Sequence, residues 1–231
     1  MLNLGVLASG RGSNFQAIID AIEGGTLNAE IKILITDRND AYAIERAKRH
    51  NIKYLYLNPR EFSSKDAFYE RITEVLTNHQ VELVVLAGFM RIVGKPLIDA
   101  YPYRIMNIHP ALLPSFPGLH GQKKALQYGV KVSGCTVHFV DEGMDTGPVI
   151  IQAAVCAYDD DSEETLSERI LKLEHKIYPE AIRLFEQGRL KVEGRAVSYT
   201  HLTLPTIYSV EISVVAVSYN SNKKAKTLDT E

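Results

Sequence analysis

Through its first 110 residues the chain switches repeatedly between two spacings of its apolar side chains, and this alternation limits the fold more than any single motif. Short apolar runs at 2–7, 31–36, 54–57, 83–87 and 105–108 have the length of strands. Between them lie segments of helical period. Phe15, Ile18, Ile19 and Ile22 form one stripe closed by Gly24-Gly25, and Ile44 and Ala47 face inward from 41–50. Ser63-Ser64-Lys65-Asp66 reads as a helix start, and Phe68, Ile72, Val75 and Leu76 carry that helix to about His79. The run at 83–87 contains no polar residue, as expected of a strand covered on both faces. Such a sequence predicts an α/β fold, a doubly wound and mostly parallel sheet with right-handed crossovers.

After residue 130 the pattern changes. Two β-rich runs, 132–140 and 149–157, flank a loop rich in Gly and Asp at 141–147, which predicts an antiparallel element appended to the sheet. Asp159-Asp160-Asp161-Ser162 then opens a long helix with the stripe Leu166, Ile170, Leu173 and Ile177. Pro179 is expected to kink or divide it, and a second helical stretch ends at Gly188. At 231 residues, 45% hydrophobic, the chain can bury one good core, and one domain is expected over 1–196. A net charge of -2 argues against nucleic acid or an anionic membrane as partner, and no apolar run is long enough to span a bilayer. The N-terminus carries no secretion pattern, so a cytoplasmic protein is expected. Cys135 and Cys156 match no metal-ligand spacing and read as small buried hydrophobes.

The chemistry concentrates in Asn107-Ile108-His109-Pro110, answered downstream by Asp141-Glu142-Gly143-Met144-Asp145-Thr146-Gly147. On a strand, residues two apart share a face, so Asn107 and His109 point the same way. An amide donor, an imidazole and a carboxylate able to orient it are the parts that stabilise an oxyanion and move a proton in acyl transfer. The blander reading makes Asn107 a turn cap and His109 a packed loop histidine. Gly10-Arg11-Gly12-Ser13-Asn14 lies between the first strand and the first helix, where backbone N–H groups can hold a phosphate; otherwise it is a tight turn capped by Ser13 or Asn14. Phe15 stands where a dinucleotide fingerprint wants glycine, yet Asp37 at the end of the second strand could serve as a ribose acid, so a nicotinamide reading stays open. Gly88-Phe89-Met90-Arg91-Ile92-Val93-Gly94 and Pro117-Gly118-Leu119-His120-Gly121 join the same rim, where open sheets collect ligands. His120 and Gly118 read as substrate-positioning groups. By spacing alone Glu174 borders the apolar stripe of its helix as a solvated carboxylate.

Taken together, Ser9-Gly10-Arg11-Gly12-Ser13-Asn14, Leu86-Ala87-Gly88-Phe89-Met90-Arg91-Ile92, Asn107-Ile108-His109-Pro110, Leu113-Pro114, Pro117-Gly118-Leu119-His120 and Gly134 with Asp145-Thr146-Gly147 resemble the phosphoribosylglycinamide formyltransferases, a branch of the folate-dependent formyltransferases. The resemblance covers the chain to about residue 195. It implies a Rossmann-like fold and transfer of the formyl group of 10-formyltetrahydrofolate to the amine of glycinamide ribonucleotide, in purine biosynthesis and without metal. It implies that Asn107 and protonated His109 stabilise the oxyanion while Asp145 orients His109 and raises its pKa. It further implies that Gly12, Ser13, Asn14 and Glu174 hold the phosphate and ribose, against the solvated reading of Glu174. Lys65, Met90, Arg91, Ile92, Val93, Asn107, Asp141 and Asp145 would meet the folate. Lys65 stands where this family carries Arg, which removes a bidentate fork. The alternatives are a folate-dependent transferase or hydrolase with another acceptor, or a nicotinamide-binding Rossmann protein. A related tRNA-formylating enzyme would add a C-terminal domain and a hydrolase an N-terminal one, and neither is expected here. Small molecules are the expected partners, with room for a weak homodimer. Residues 197–231 have no counterpart in the family. Val197-Ser198-Tyr199-Thr200-His201-Leu202-Thr203-Leu204-Pro205-Thr206 resembles a translated sequencing adapter, and 197–231 is expected to stand outside the enzyme; a genuine appended hairpin is the rival.

Overall fold

A computed structural model describes residues 1–199. Strands β1 (Leu2–Leu7), β2 (Ala29–Thr36), β3 (Tyr54–Tyr56), β4 (Leu83–Leu86), β5 (Ile105–His109), β6 (Val132–Phe139) and β7 (Val149–Cys156) form one sheet in the order β3-β2-β1-β4-β5-β6-β7. The first five are parallel to one another, and β6 runs antiparallel to both of its neighbours, β5 and β7. Both features match the expectation from the sequence.

Alternation along the strands sorts the apolar residues into two cores. Leu4, Val6, Leu83, Val85, Met106 and Ile108 face helices α1 (Ser13–Glu23) and α6 (Glu163–Glu186). Ile33, Ile35, Val84, Leu86 and Ile105 face α3 (Lys65–Asn78) and α4 (Lys95–Ala100). Asn107 and His109 therefore belong, by period two, to the face of Ile105. Two further helices, α2 (Ala43–Arg49) and α5 (Gly121–Tyr128), complete the set.

Local chemistry explains the helix starts. Ser64 accepts a hydrogen bond from the Ala67 N–H at α3, and Ser162 and Thr165 form a reciprocal capping box at α6. Helix α1 differs: its cap is Gly12, at φ 65°, with no side-chain hydrogen bond, so neither Ser13 nor Asn14 serves as the expected cap. Pro179 neither divides nor ends α6, which runs unbroken for 24 residues. The carbonyl of His175 loses its usual N–H donor there. Ile170, Ile177, Tyr178, Ala181 and Ile182, all fully buried, hold the helix on the sheet regardless. Cys135 is buried as expected, but Cys156 is exposed, because it ends the outermost strand of the sheet.

Strands β8 (Leu190–Glu193) and β9 (Ala196–Tyr199) form a separate antiparallel hairpin, with Val192 and Val197 packed against the core. Pairing thus continues to Tyr199, three residues past the expected boundary at 196. The rest of the tail, 200–231, lies outside the described residues. Among the described residues no helix is long and apolar enough to cross a membrane.

Candidate active site

In the strand order, β1 is flanked by β2 on one side and β4 on the other, so the order of strand addition reverses there, and the loops leaving the parallel strands β1 and β4 open a crevice between them. Two hydrogen bonds join those loops: Ser9 N–H donates to the Gly88 carbonyl at 3.1 Å, and Met90 N–H to Ser9 Oγ at 3.0 Å. Beside them β5 ends in Asn107 and His109, both largely removed from solvent.

His109 sits between two acceptors. Its Nε2 lies 2.9 Å from the Phe116 carbonyl, and its Nδ1 lies 3.4 Å from Asp145 Oδ2. Burial lowers the pKa of His109 below the usual histidine range, outweighing the Phe116 carbonyl and the Asp145 carboxylate, which raise it. Asp145 thus acts in the expected direction, upward, but burial outweighs it and the net shift is downward. Asp145 behaves differently. Burial alone would raise its pKa, but the nearby His138 and His109 rings and the hydrogen bond from the Gly118 N–H bring it down to about 2. The Gly118 N–H donates to Oδ2 at 2.7 Å, which gives Gly118 a role in holding the carboxylate. Phe116, His120 and Asp145 all adopt positive φ (54°, 62° and 55°), a backbone region that side chains of L-residues seldom occupy. His120 itself is exposed and forms the cap of α5 without a side-chain bond.

The sequence reading missed His138. Antiparallel pairing of β5 with β6 puts it directly opposite Asn107. Its Nδ1 lies 2.8 Å from the Phe139 carbonyl, which requires an N–H there. In the neutral ring Nε2 then accepts from Asn107 Nδ2 at 3.2 Å, and it also lies 3.7 Å from Asp145 Oδ1. Asn107, His138, Asp145 and His109 thus form one chain of polar contacts. Only the strand register could have pointed to His138.

The loop at 10–14 has its carbonyls occupied: Gly10 O accepts from Ala43 N–H, Arg11 O from the Arg46 guanidinium, and Gly12 O from Gln16 N–H. Among the described residues nothing accepts from the N–H groups of Ser13, Asn14 and Phe15 at the start of α1. Such a terminus favours an anion. Glu174, far from solvated, is 7% exposed and accepts from Asn14 Nδ2 at 2.7 Å; burial raises its pKa, partly offset by that bond. Helical spacing gave only its position on α6, and the packing of α1 against that face decides the matter.

On the other side of the crevice the loop at 88–94 is tied down at several points. Tyr69 OH donates to the Ile92 carbonyl at 2.9 Å, and Lys65 Nζ lies 3.5 Å from the Val93 carbonyl. Arg91 pairs with Asp37 at 2.6 Å, and the Asp37 side chain is only 6% exposed, which leaves it poorly placed to receive a ribose. Met90 and Ile92 present their side chains to solvent. Asp141 accepts from the Gly143 N–H and Thr146 Oγ1, shaping the loop that carries Asp145. Among the described residues there is no cluster of three or more His, Cys, Asp or Glu side chains suited to a metal.

Comparison with known proteins agrees with this architecture. Residues 2–182 match the family described as formyl transferase. Phosphoribosylglycinamide formyltransferase of Bacillus subtilis (strain 168) is 46% identical over 183 residues, 79% of this chain and 94% of that protein. The enzyme of the same name from Escherichia coli (strain K12) is 40% identical over 195 residues, 84% of this chain and 92% of that protein. The crystal structure of glycinamide ribonucleotide transformylase 1 from Symbiobacterium toebii superposes with a TM-score of 0.86 at 51% identity, covering 87% of this chain and 95% of the other. With a mixed sheet, a crevice at its switch point and a match running through β1 to α6, the chain belongs to the formyl transferase family.

Proposed function

We propose that this formyl transferase moves the formyl group of 10-formyltetrahydrofolate to the amine of glycinamide ribonucleotide, a step of purine biosynthesis. The observation that carries the reading is a single crevice holding both an uncapped anion-binding helix start, with Asn14 and Glu174 beside it, and the linked set Asn107, His109, His138 and Asp145. The phosphate rests on the N–H groups of residues 12–14, and Glu174 takes a ribose hydroxyl. The folate lies along Lys65, Met90, Arg91, Ile92 and Val93, reaching Asn107, Asp145 and the loop that begins at Asp141. Lys65 contributes a point charge there without a fork.

In the reaction the amine nitrogen attacks the formyl carbon while the bond from that carbon to the folate nitrogen breaks. Asn107, whose amide is oriented by His138, donates to the oxygen on which negative charge develops, and the protonated ring of His109 stabilises that charge from beside it. His109 carries the proton from the amine to the departing folate nitrogen. Asp145 stays ionised throughout the neutral range, its pKa held at about 2, and steadies the imidazolium whenever it forms. Two acceptors around the ring favour that cation and burial opposes it, so His109 can take up and release a proton in one cycle.

The test is a formyl-transfer assay with purified protein and both substrates. His109→Ala is expected to lower turnover by at least about 10²-fold. Near-wild-type turnover in a folded His109→Ala protein would refute the mechanism. Folate hydrolysis independent of the ribonucleotide, or binding of NAD in place of a reduced folate, would refute the assignment. We further infer that the reaction takes place in the cytoplasm on monomers or a weak homodimer, and that 1–199 suffice for it. Since β9 pairs through Tyr199, the informative truncation ends after that residue and should leave activity unchanged.

A further inference from the structure

The phosphate loop is held from behind by a neighbouring helix, and one residue of that helix has more donors than its contacts use. Arg46 on α2 donates from Nε to the Arg11 carbonyl at 2.9 Å and from Nη1 to Gln16 Oε1 at 2.8 Å. Its guanidinium lies 5.1 Å from the centre of the Tyr42 ring, and no carboxylate among the described residues lies within ion-pair distance of it. Gln16 is fixed in turn: its Nε2 lies 3.0 Å from His50 Nε2 and 2.8 Å from Asp20 Oδ1, which leaves Oε1 turned toward Arg46. Guanidinium carries five N–H donors, so three remain after these two bonds.

Close packing makes this arrangement stiff. A Cβ built at Gly12 would lie 2.9 Å from Ala43 Cβ and 3.6 Å from Arg46 Cδ, so α2 bears directly on the loop. The carbonyls of Gly10 and Arg11 both turn toward α2, accepting from Ala43 N–H and Arg46. With those carbonyls held back, the N–H groups at the start of α1 are left to face a ligand. Asn14 Oδ1, in a residue only 8% exposed, also has no partner.

We propose that Arg46 is the positioning residue of the phosphate site: it clamps the Arg11 carbonyl so that the loop amides converge on the phosphate, and it supplies the un-neutralised cation that balances the ligand's charge. A phosphate monoester carries about -1.5 to -2 charges near neutral pH, more than the partial charge of one helix terminus can offset. This inference rests on the assignment of residues 12–14 to the ribonucleotide phosphate.

The test compares full-length wild type with Arg46→Met, Arg46→Lys and Gly12→Val, using glycinamide ribonucleotide and the matching nucleoside that lacks the phosphate. Arg46→Met is expected to raise KM for the ribonucleotide about tenfold, with kcat and KM for the folate within about twofold of wild type. Arg46→Lys keeps the charge but not the fork, and should fall between the two. With the nucleoside, the penalty of Arg46→Met should disappear. An equal penalty on ribonucleotide and nucleoside, or a parallel rise in KM for the folate, would show a merely structural role and overturn the proposal. If Gly12→Val selectively weakens ribonucleotide binding while both Arg46 variants behave as wild type, the loop assignment stands and the role of Arg46 falls. If none of the three variants moves KM for the ribonucleotide, both fall.

Discussion

Replacing Asp145 with Asn removes one charge and almost no volume, which makes it the sharpest probe of the site. The carboxylate faces His109 Nδ1 at 3.4 Å, with both side chains well covered, at 14% and 6% exposed. Two opposite charges about 4 Å apart interact by about 4 kcal/mol at an effective dielectric constant of 20. Residual solvent around Asp145 reduces that figure, so about 2–3 kcal/mol of imidazolium stabilisation is at stake. At about 1.4 kcal/mol per factor of ten this is about 10²-fold in turnover. Asn retains an oxygen that can accept from the Gly118 N–H, so the loop should keep its course. Steady-state formyl transfer measures the rate, and NMR titration of the His109 ring measures its protonation. Loss of the carboxylate takes away a contribution that raises the histidine pKa, so the His109 midpoint should fall further below the ordinary range in the variant. Turnover within about threefold of wild type, or an unmoved His109 titration, would refute the reasoning, since the charge would then do nothing at 3.4 Å.

Other consequences follow from the same contacts. Because the folded pKa of Asp145 is depressed to about 2 from an ordinary 3.8, its share of stability is full above about pH 4 and is lost as pH falls toward 2; Asp145→Asn should flatten acid unfolding in that window. Glu174→Gln should raise the melting temperature at pH 7 by a few degrees while weakening ribonucleotide binding, because it neutralises a carboxyl whose pKa burial has raised and which loses native stability as pH climbs above the ordinary carboxylate range. An unchanged or lower melting temperature would count against that account. Tyr178→Phe removes a buried hydroxyl whose oxygen lies 3.0 Å from the Leu86 carbonyl and 2.9 Å from that of Met106, where β4 ends and β5 nears Asn107. The expected loss, measured by chemical denaturation, is about 1–3 kcal/mol.

Much of this architecture can be read from the sequence where local chemistry decides it. Ser64 and Ser162 cap helices whose starts their neighbours announce, and period two places Asn107 and His109 on one face. What depends on register or on another element is less legible. His138 matters because β6 runs antiparallel to β5 with that particular offset, and nothing in a run of alternating residues shows the offset. Glu174 looks solvated until α1 is laid on α6 and Asn14 meets it. Pro179 suggests a break in α6, yet the apolar stripe around it outweighs one missing N–H. The Phe116 carbonyl and the Gly118 N–H belong to the backbone, so residue type does not reveal them.

The pairing of Asn107 with His138 also sets which kinds of genetic change this enzyme can absorb. A side chain in a strand changes face with every single-residue shift. Deleting one residue within 132–137 would therefore present Phe139 where His138 now stands, whereas deleting two would restore the face but move the partner. Substitutions near the site are graded in their effects, but changes of length in β6 are all or nothing. Across related genes, gaps should accordingly gather in connections such as 156–162 and stay out of the stretch from Gly134 to Gly147. There the length is pinned at both ends: a Cβ at Gly134 would come within 2.0 Å of the Ala153 carbonyl, and one at Gly147 within 1.8 Å of the Phe139 carbonyl.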